Sequence, residues 1–267
     1  MSFSTYFMLY TMKKIYQITN GVALVITVII NYLSNTGIFN GETMATVSAK
    51  YQNLFTPAGY AFSIWGLIYL GLFGFVIYFG PFVRQTNEKE KVVLKVGWWF
   101  SISCLANSLW VITWLYDYTF LTVLLMILLF VSLLKIIHHT QSIALHAARS
   151  KRIFLKFPFQ LYAGWISVAL IADIAAYLTK IGWDGFGLSA TTWVIIMFVI
   201  ALIIHLLMIW QRHMPLFGLV AVWALIAISV ANKLVNSTVY TAAIIAALIV
   251  LLNVIVYYIQ YRKRLPV

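Results

Sequence analysis

Residues 59–80 read GYAFSIWGLIYLGLFGFVIYFG, a stretch with no charged side chain. A helix rises 1.5 Å per residue, so roughly 30 Å of hydrocarbon takes about 20 residues, and the helical ladder pairs the backbone amides that lipid cannot. By that ruler the chain offers seven more candidate spans: 18–37, 94–115, 119–137, 156–178, 190–210, 215–231 and 239–259. The stretch 215–231 is the shortest of them. Composition agrees, since 63% of the 267 residues are hydrophobic, 9% are charged and the mean hydropathy is +0.96. Soluble domains carry roughly 25% charged residues. The expected fold class is all-α: a polytopic transmembrane helix bundle of about eight spans.

Eighteen Lys and Arg against six Asp and Glu give a net charge of +12. Such a balance points to nucleic acid or to a membrane surface, and its distribution decides for the membrane. With the N-terminus cytoplasmic, that side holds Lys13, Lys14, Arg84, Lys89, Lys91, Lys95, Lys135, Arg149, Lys151, Arg152, Lys156, Arg212, Arg262, Lys263 and Arg264. Only Lys50, Lys180 and Lys233 fall on the other. Positive charge marks the cytoplasmic face of short loops, so both termini are expected there, with membrane lipids as partners and no nucleic acid. The run Arg149 to Arg152 reads as charge facing lipid headgroups. The expected location is a bacterial inner (plasma) membrane. Lys13 and Lys14 before the apolar run from Gly21 imitate a signal peptide, but no small-residue cleavage pattern follows, so the first span is read as uncleaved. Met12 leaves open that residues 1–11 are an extension.

Soluble-enzyme chemistry has little foothold. There is no phosphate loop, nucleophile elbow or acid pair, and the lone Cys104 allows neither an internal disulfide nor a thiolate metal cluster. His138, His139 and His146 fit no standard metal spacing.

What stands out lies inside the spans. Threaded in and out, Asn31, Asn35, Tyr60, Trp65, Tyr69, Asn107, Trp110 and Trp114 reach similar depths in the outer half. Asp173, the only acid within any span, falls near the outer end of the fifth. A carboxylate there costs a few kcal/mol, so it is expected to face the bundle interior or a wet cavity, as a helix-to-helix hydrogen bond or as a functional group. An outer cavity roofed by the loop before Pro57 would satisfy it. Trp98, Trp99, Trp183, Trp193 and Trp210 sit at span ends and read as interfacial anchors, whereas Trp65, Trp110 and Trp165 lie deeper, as core packing or as a binding surface. Asn31, Asn35 and Asn107 read first as bridges between helices, and a helix-to-helix hydrogen bond is the simplest account of His205 and Asn253.

Three blocks then resemble the tryptophan-rich sensory protein family, also called TspO/MBR or translocator proteins. They are Pro57-Ala-Gly-Tyr-Ala-Phe-Ser-Ile-Trp65-Gly-Leu-Ile-Tyr69, Ala106-Asn107-Ser-Leu-Trp110 and Trp165-Ile-Ser-Val-Ala169, in the family's order. Asp173 stands at the position of the family's asparagine, Thr56 at the first proline of its pair, and Gly59, beside Tyr60, at its loop tryptophan. The resemblance implies a five-helix bundle over residues 18–180, preceded by a cytoplasmic segment 1–17 and followed by an additional three-helix segment 181–260 and a basic tail 261–267. It further implies a pocket under the first loop for a porphyrin, haem or sterol-like hydrophobic molecule. The ligand-binding set it implies is Asn35, Pro57, Tyr60, Trp65, Tyr69, Asn107, Trp110, Trp165 and Asp173. Haem ligation proper fits less well, because no histidine lies in the outer half of the first five spans.

Three functions compete: a receptor or carrier for such a ligand, a proton-coupled small-solute transporter using Asp173, and an intramembrane porphyrin-modifying enzyme. The three added helices are open to use as a homodimer face or as part of a transport path.

Overall fold

A computed structural model describes residues 3–146 and 149–264, with side chains over 7–143 and 153–261. Met1 and the last three residues lie outside the described residues, and the side chains of His146, Arg149, Lys151, Arg152, Arg262, Lys263 and Arg264 outside the described side chains. Every regular element described is helical. Seven helices among the described residues are long and apolar enough to cross a membrane, and a bent pair supplies an eighth if it counts as one span. The protein is thus a multi-pass helical membrane protein.

Two compact units divide the chain. The first holds α1 (Phe3–Leu33), α3 (Ile64–Tyr78, from Trp65 on), α4 (Asn87–Val96), α5 (Trp99–Leu115), α6 (Thr119–His146) and the start of α7 (Arg149–Lys180), through Phe159. Within it α5 packs on both α1 and α6, and α4 on the same two helices. Small residues let α3 and the start of α7 approach: a Cβ on Gly71 would stand 3.2 Å from Pro158, and one on Gly74 3.1 Å from the Phe154 ring. A polar tie joins Lys13 to Glu90 at 2.6 Å, and Gln17 donates to the Phe79 carbonyl over 2.7 Å.

The third expected span, 94–115, is not one straight helix. Thr86 caps α4 by accepting from the Lys89 amide, and Glu88 and Glu90 complement the positive end of the helix dipole. Gly97 then takes φ 52° and ψ −137°, a conformation that side chains with a Cβ rarely adopt. The chain bends by 45°, and α5 begins. Hydropathy does not register such a break, because it depends on one residue's dihedral angles.

The second unit comprises residues 45–64 and 160–267, the described part of which includes α2 (Met44–Lys50, from Ala45 on), a 3₁₀ turn (Gly59–Ser63), the rest of α7, α8 (Ala190–Arg212), α9 (Pro215–Asn232) and α10 (Ser237–Arg264). Ser189 caps α8, accepting from the Thr192 amide at 3.1 Å. His213 ends it in the left-handed region, and Pro215 opens α9 where a missing N–H is harmless. The shortest span is the most enclosed: 67% of the α9 window is buried, against 33% for α10 and 28% for α8, both of which pack on it. Gly164 and Gly218 give α9 close contacts, since a Cβ on the first would lie 3.0 Å from the Phe217 carbonyl oxygen.

Candidate functional site

In the first unit the expected aromatic residues fall on two helices. Trp65 and Tyr69 stand one turn apart on α3 with rings stacked at 5.4 Å. Asn107, Trp110 and Trp114 follow the i, i+3, i+7 spacing of one face of α5 and are all buried, Asn107 completely. Trp110 and Trp114 stack at 6.3 Å.

The asparagine expected to bridge helices does so. Asn31 Nδ2 donates to the Thr27 carbonyl at 2.9 Å and to Asn107 Oδ1 at 2.8 Å. Because a carbonyl only accepts, the first bond fixes which end of the Asn31 amide points inward, so Asn107 must present its oxygen. One turn away, Thr27 Oγ1 meets the Cys104 carbonyl and Ser108 Oγ, each at 3.1 Å. These polar contacts zip α1 to α5 through an apolar bundle, where packing alone gives helices little specificity.

Three polar atoms remain. Asn107 Nδ2, Trp110 Nε1 and Tyr69 Oη are buried and have no hydrogen-bond partner among the described residues. An amide and an indole N–H can only donate, and a phenol donates readily, so all three are suited to an acceptor. Asn107 and Trp110 share one turn of α5, and Tyr69 stands on α3. A buried donor without a partner costs about 1–3 kcal/mol, which a bound acceptor would offset.

Asn35 does not join them. It is exposed just beyond α1 and donates to the Asn31 carbonyl and to Ser34 Oγ.

Pro57, Tyr60, Trp165 and Asp173 belong to the second unit. The segment expected as a roof is tied to α9. Leu54 O accepts from Asn232 Nδ2 at 2.9 Å, Ala58 N–H donates to Ala227 O at 3.0 Å, and Ala61 O accepts from Trp223 Nε1 at 3.1 Å. Tyr60, 43% exposed, meets the Trp223 ring edge-on at 5.3 Å, and buried Phe55 packs on Phe198 at 5.7 Å. Thr56 turns the chain into Pro57: its hydroxyl accepts from the Asn53 amide at 3.0 Å, while Asn53 Oδ1 accepts from the Phe55 amide at 2.9 Å. None of Trp223, Ala227 and Asn232 was singled out from sequence. The usable signals were an indole inside an aliphatic span and an amide at its end.

Trp165 is buried, with Phe62 edge-on at 5.9 Å. Asp173 is 4% exposed, so its carboxyl does not face lipid. His205 and Asn253 each bond to another helix, but not to each other. The Ala201 carbonyl accepts from His205 Nδ1–H at 2.7 Å, leaving Nε2 to meet Ser167 Oγ at 3.3 Å, and Asn253 Oδ1 accepts from Trp210 Nε1 at 3.0 Å. Trp210, expected as an interfacial anchor, is thereby a polar tie between α8 and α10. Sequence reasoning passed over Gln160 on α7, which is buried with Oε1 unpartnered among the described residues.

Residues 17–256 match a family model described as TSPO-like protein. The match runs past Lys180 through α8 and α9 and into α10. Neither a curated protein nor a solved structure matches the chain.

Proposed function

Since the chain belongs to the TSPO-like protein family, we propose that it is a membrane receptor or carrier for a hydrophobic, tetrapyrrole-like or sterol-like ligand, bound on the α3 and α5 faces of the first unit. The observation that carries this reading is the set of buried, unpartnered donors at Tyr69, Asn107 and Trp110. A flat macrocycle offers π faces to the stacked Trp65–Tyr69 and Trp110–Trp114 pairs, while its carboxylate or carbonyl edge takes the three donors. Positive charge favours the N-terminal end of α1 on the cytoplasmic side and this site toward the other.

Titration of protoporphyrin into the purified protein, followed by tryptophan quenching, tests the proposal. Saturable quenching that weakens in Trp65→Phe and Trp110→Phe, and in Asn107→Leu, is the expected result. Unsaturable quenching, or quenching unaltered by all three variants, overturns it.

A second reading has one specific observation in its favour. Asp173 is a nearly inaccessible acid in an apolar helix, a setting suited to loading and releasing a proton during solute transport. Acid-driven uptake into vesicles that disappears in Asp173→Asn supports it, and equal uptake by the variant removes it.

A further inference from the structure

The bend at Gly97 opens a groove of about 580 Å³ in the first unit, lined by Tyr16, Lys95, Trp98, Trp99, Ile102 and His139. A second groove of about 450 Å³ shares Lys95 and His139 and adds His138 and Ser142. Neither lining contains a carboxylate. Of the two acids on α4, Glu90 is ion-paired with Lys13 and Glu88 stands in the helix's first turn, away from the bend. A second cation approaches from α6, with Lys135 Nζ 6.0 Å from the centre of the Trp99 ring.

The cationic side is held in place. Lys95 Nζ donates to Ser142 Oγ at 3.3 Å, and His139 meets the Lys95 carbonyl through Nδ1 at 3.2 Å, where it must donate. The lining also carries aromatic rings: Tyr16 and Trp98 pack edge to face at 5.1 Å, and Trp98 is 46% exposed. From the groove wall an apolar stripe runs up α5 at the i, i+3, i+7 positions Ile102, Leu105 and Leu109, the last two exposed.

We propose that this groove holds the headgroup phosphate of an anionic glycerophospholipid, with an acyl chain lying along Ile102, Leu105 and Leu109. Lys95 and Lys135 supply the charge, Trp98 and Tyr16 sit at the level of the glycerol, and the stripe takes the tail. A soluble phosphate would use the cations but not the stripe, which is why the lipid is the occupant.

Native mass spectrometry of the full chain, released from micelles containing equal phosphatidylglycerol and phosphatidylcholine, tests this. The unaltered protein should retain phosphatidylglycerol in preference, and Lys95→Gln with Lys135→Gln should lower that preference about fivefold or more. Lys95→Arg should keep it, as should Lys233→Gln, which removes the same charge from an exposed site beyond α9. Equal retention of the two lipids, or a preference that survives the double substitution, overturns the proposal. So does displacement of the lipid by inorganic phosphate at the same site, which would make this a soluble-anion site.

Discussion

The indole N–H of Trp223 donates to the Ala61 carbonyl across 3.1 Å, joining residues 162 positions apart in the chain. With Ala58–Ala227 and Asn232–Leu54 it makes three hydrogen bonds between one loop and one helix, so α9 serves as the frame for residues 54–61. Trp223→Phe removes the donor but keeps a ring against Tyr60. The loop should loosen by about 1 kcal/mol, the net worth of one hydrogen bond. Hydrogen exchange at the Ala58 amide reads this directly, and a rise of about fivefold is expected; exchange unchanged from the parent protein would mean that the indole bond holds nothing.

The same contact marks where sequence reading stops. Apolar length reveals spans because lipid leaves the backbone no other partner, and the shared depth of Asn31 and Asn107 was visible from counting along two helices. The pairing of residue 61 with residue 223 was not, since it depends on which helices become neighbours. Nor did Thr56, read as a departure from a proline pair, disclose that its hydroxyl would close the turn with Asn53. Trp110 was legible as a deep aromatic and Tyr69 as one in the outer half, but their unpartnered polar atoms became visible only with every neighbour in place.

At Gly97 the backbone conformation itself makes a prediction. With φ 52° and ψ −137°, an added Cβ is strained regardless of the room around it. Gly97→Ala should cost about 1–3 kcal/mol and lower the thermal midpoint in detergent. Gly59→Ala is the comparison, because Gly59 lies outside the left-handed region and an alanine methyl there would have nothing within 4 Å. A midpoint that falls equally in both would show that Gly97 is not specially constrained.

The zip between α1 and α5 should appear as a coupling. Asn31→Ala and Asn107→Ala each leave the other amide short of a partner, so the double substitution should cost less than the sum of the two. A coupling of about 0.6–1.7 kcal/mol is expected from hydrogen bonds of this kind in membranes. Strict additivity in unfolding measurements would mean that the 2.8 Å bond contributes nothing net.

Packing of α7 on α9 rests on a glycine. A Cβ at Gly164 would stand 3.0 Å from the Phe217 carbonyl oxygen, 3.1 Å from its Cα and 3.1 Å from Val220 Cβ, so two of the three nearest atoms are backbone that cannot swing aside. Gly164→Leu must push the helices apart, at a cost of about 1–3 kcal/mol. Separation would also strain the Ser167–His205 contact, which lies one turn farther along α7 and bonds a ring packed 4.7 Å from Phe217. Gly164→Ala should show a smaller loss in the same direction. A leucine variant as stable as the parent would show that the two helices have slack at this crossing.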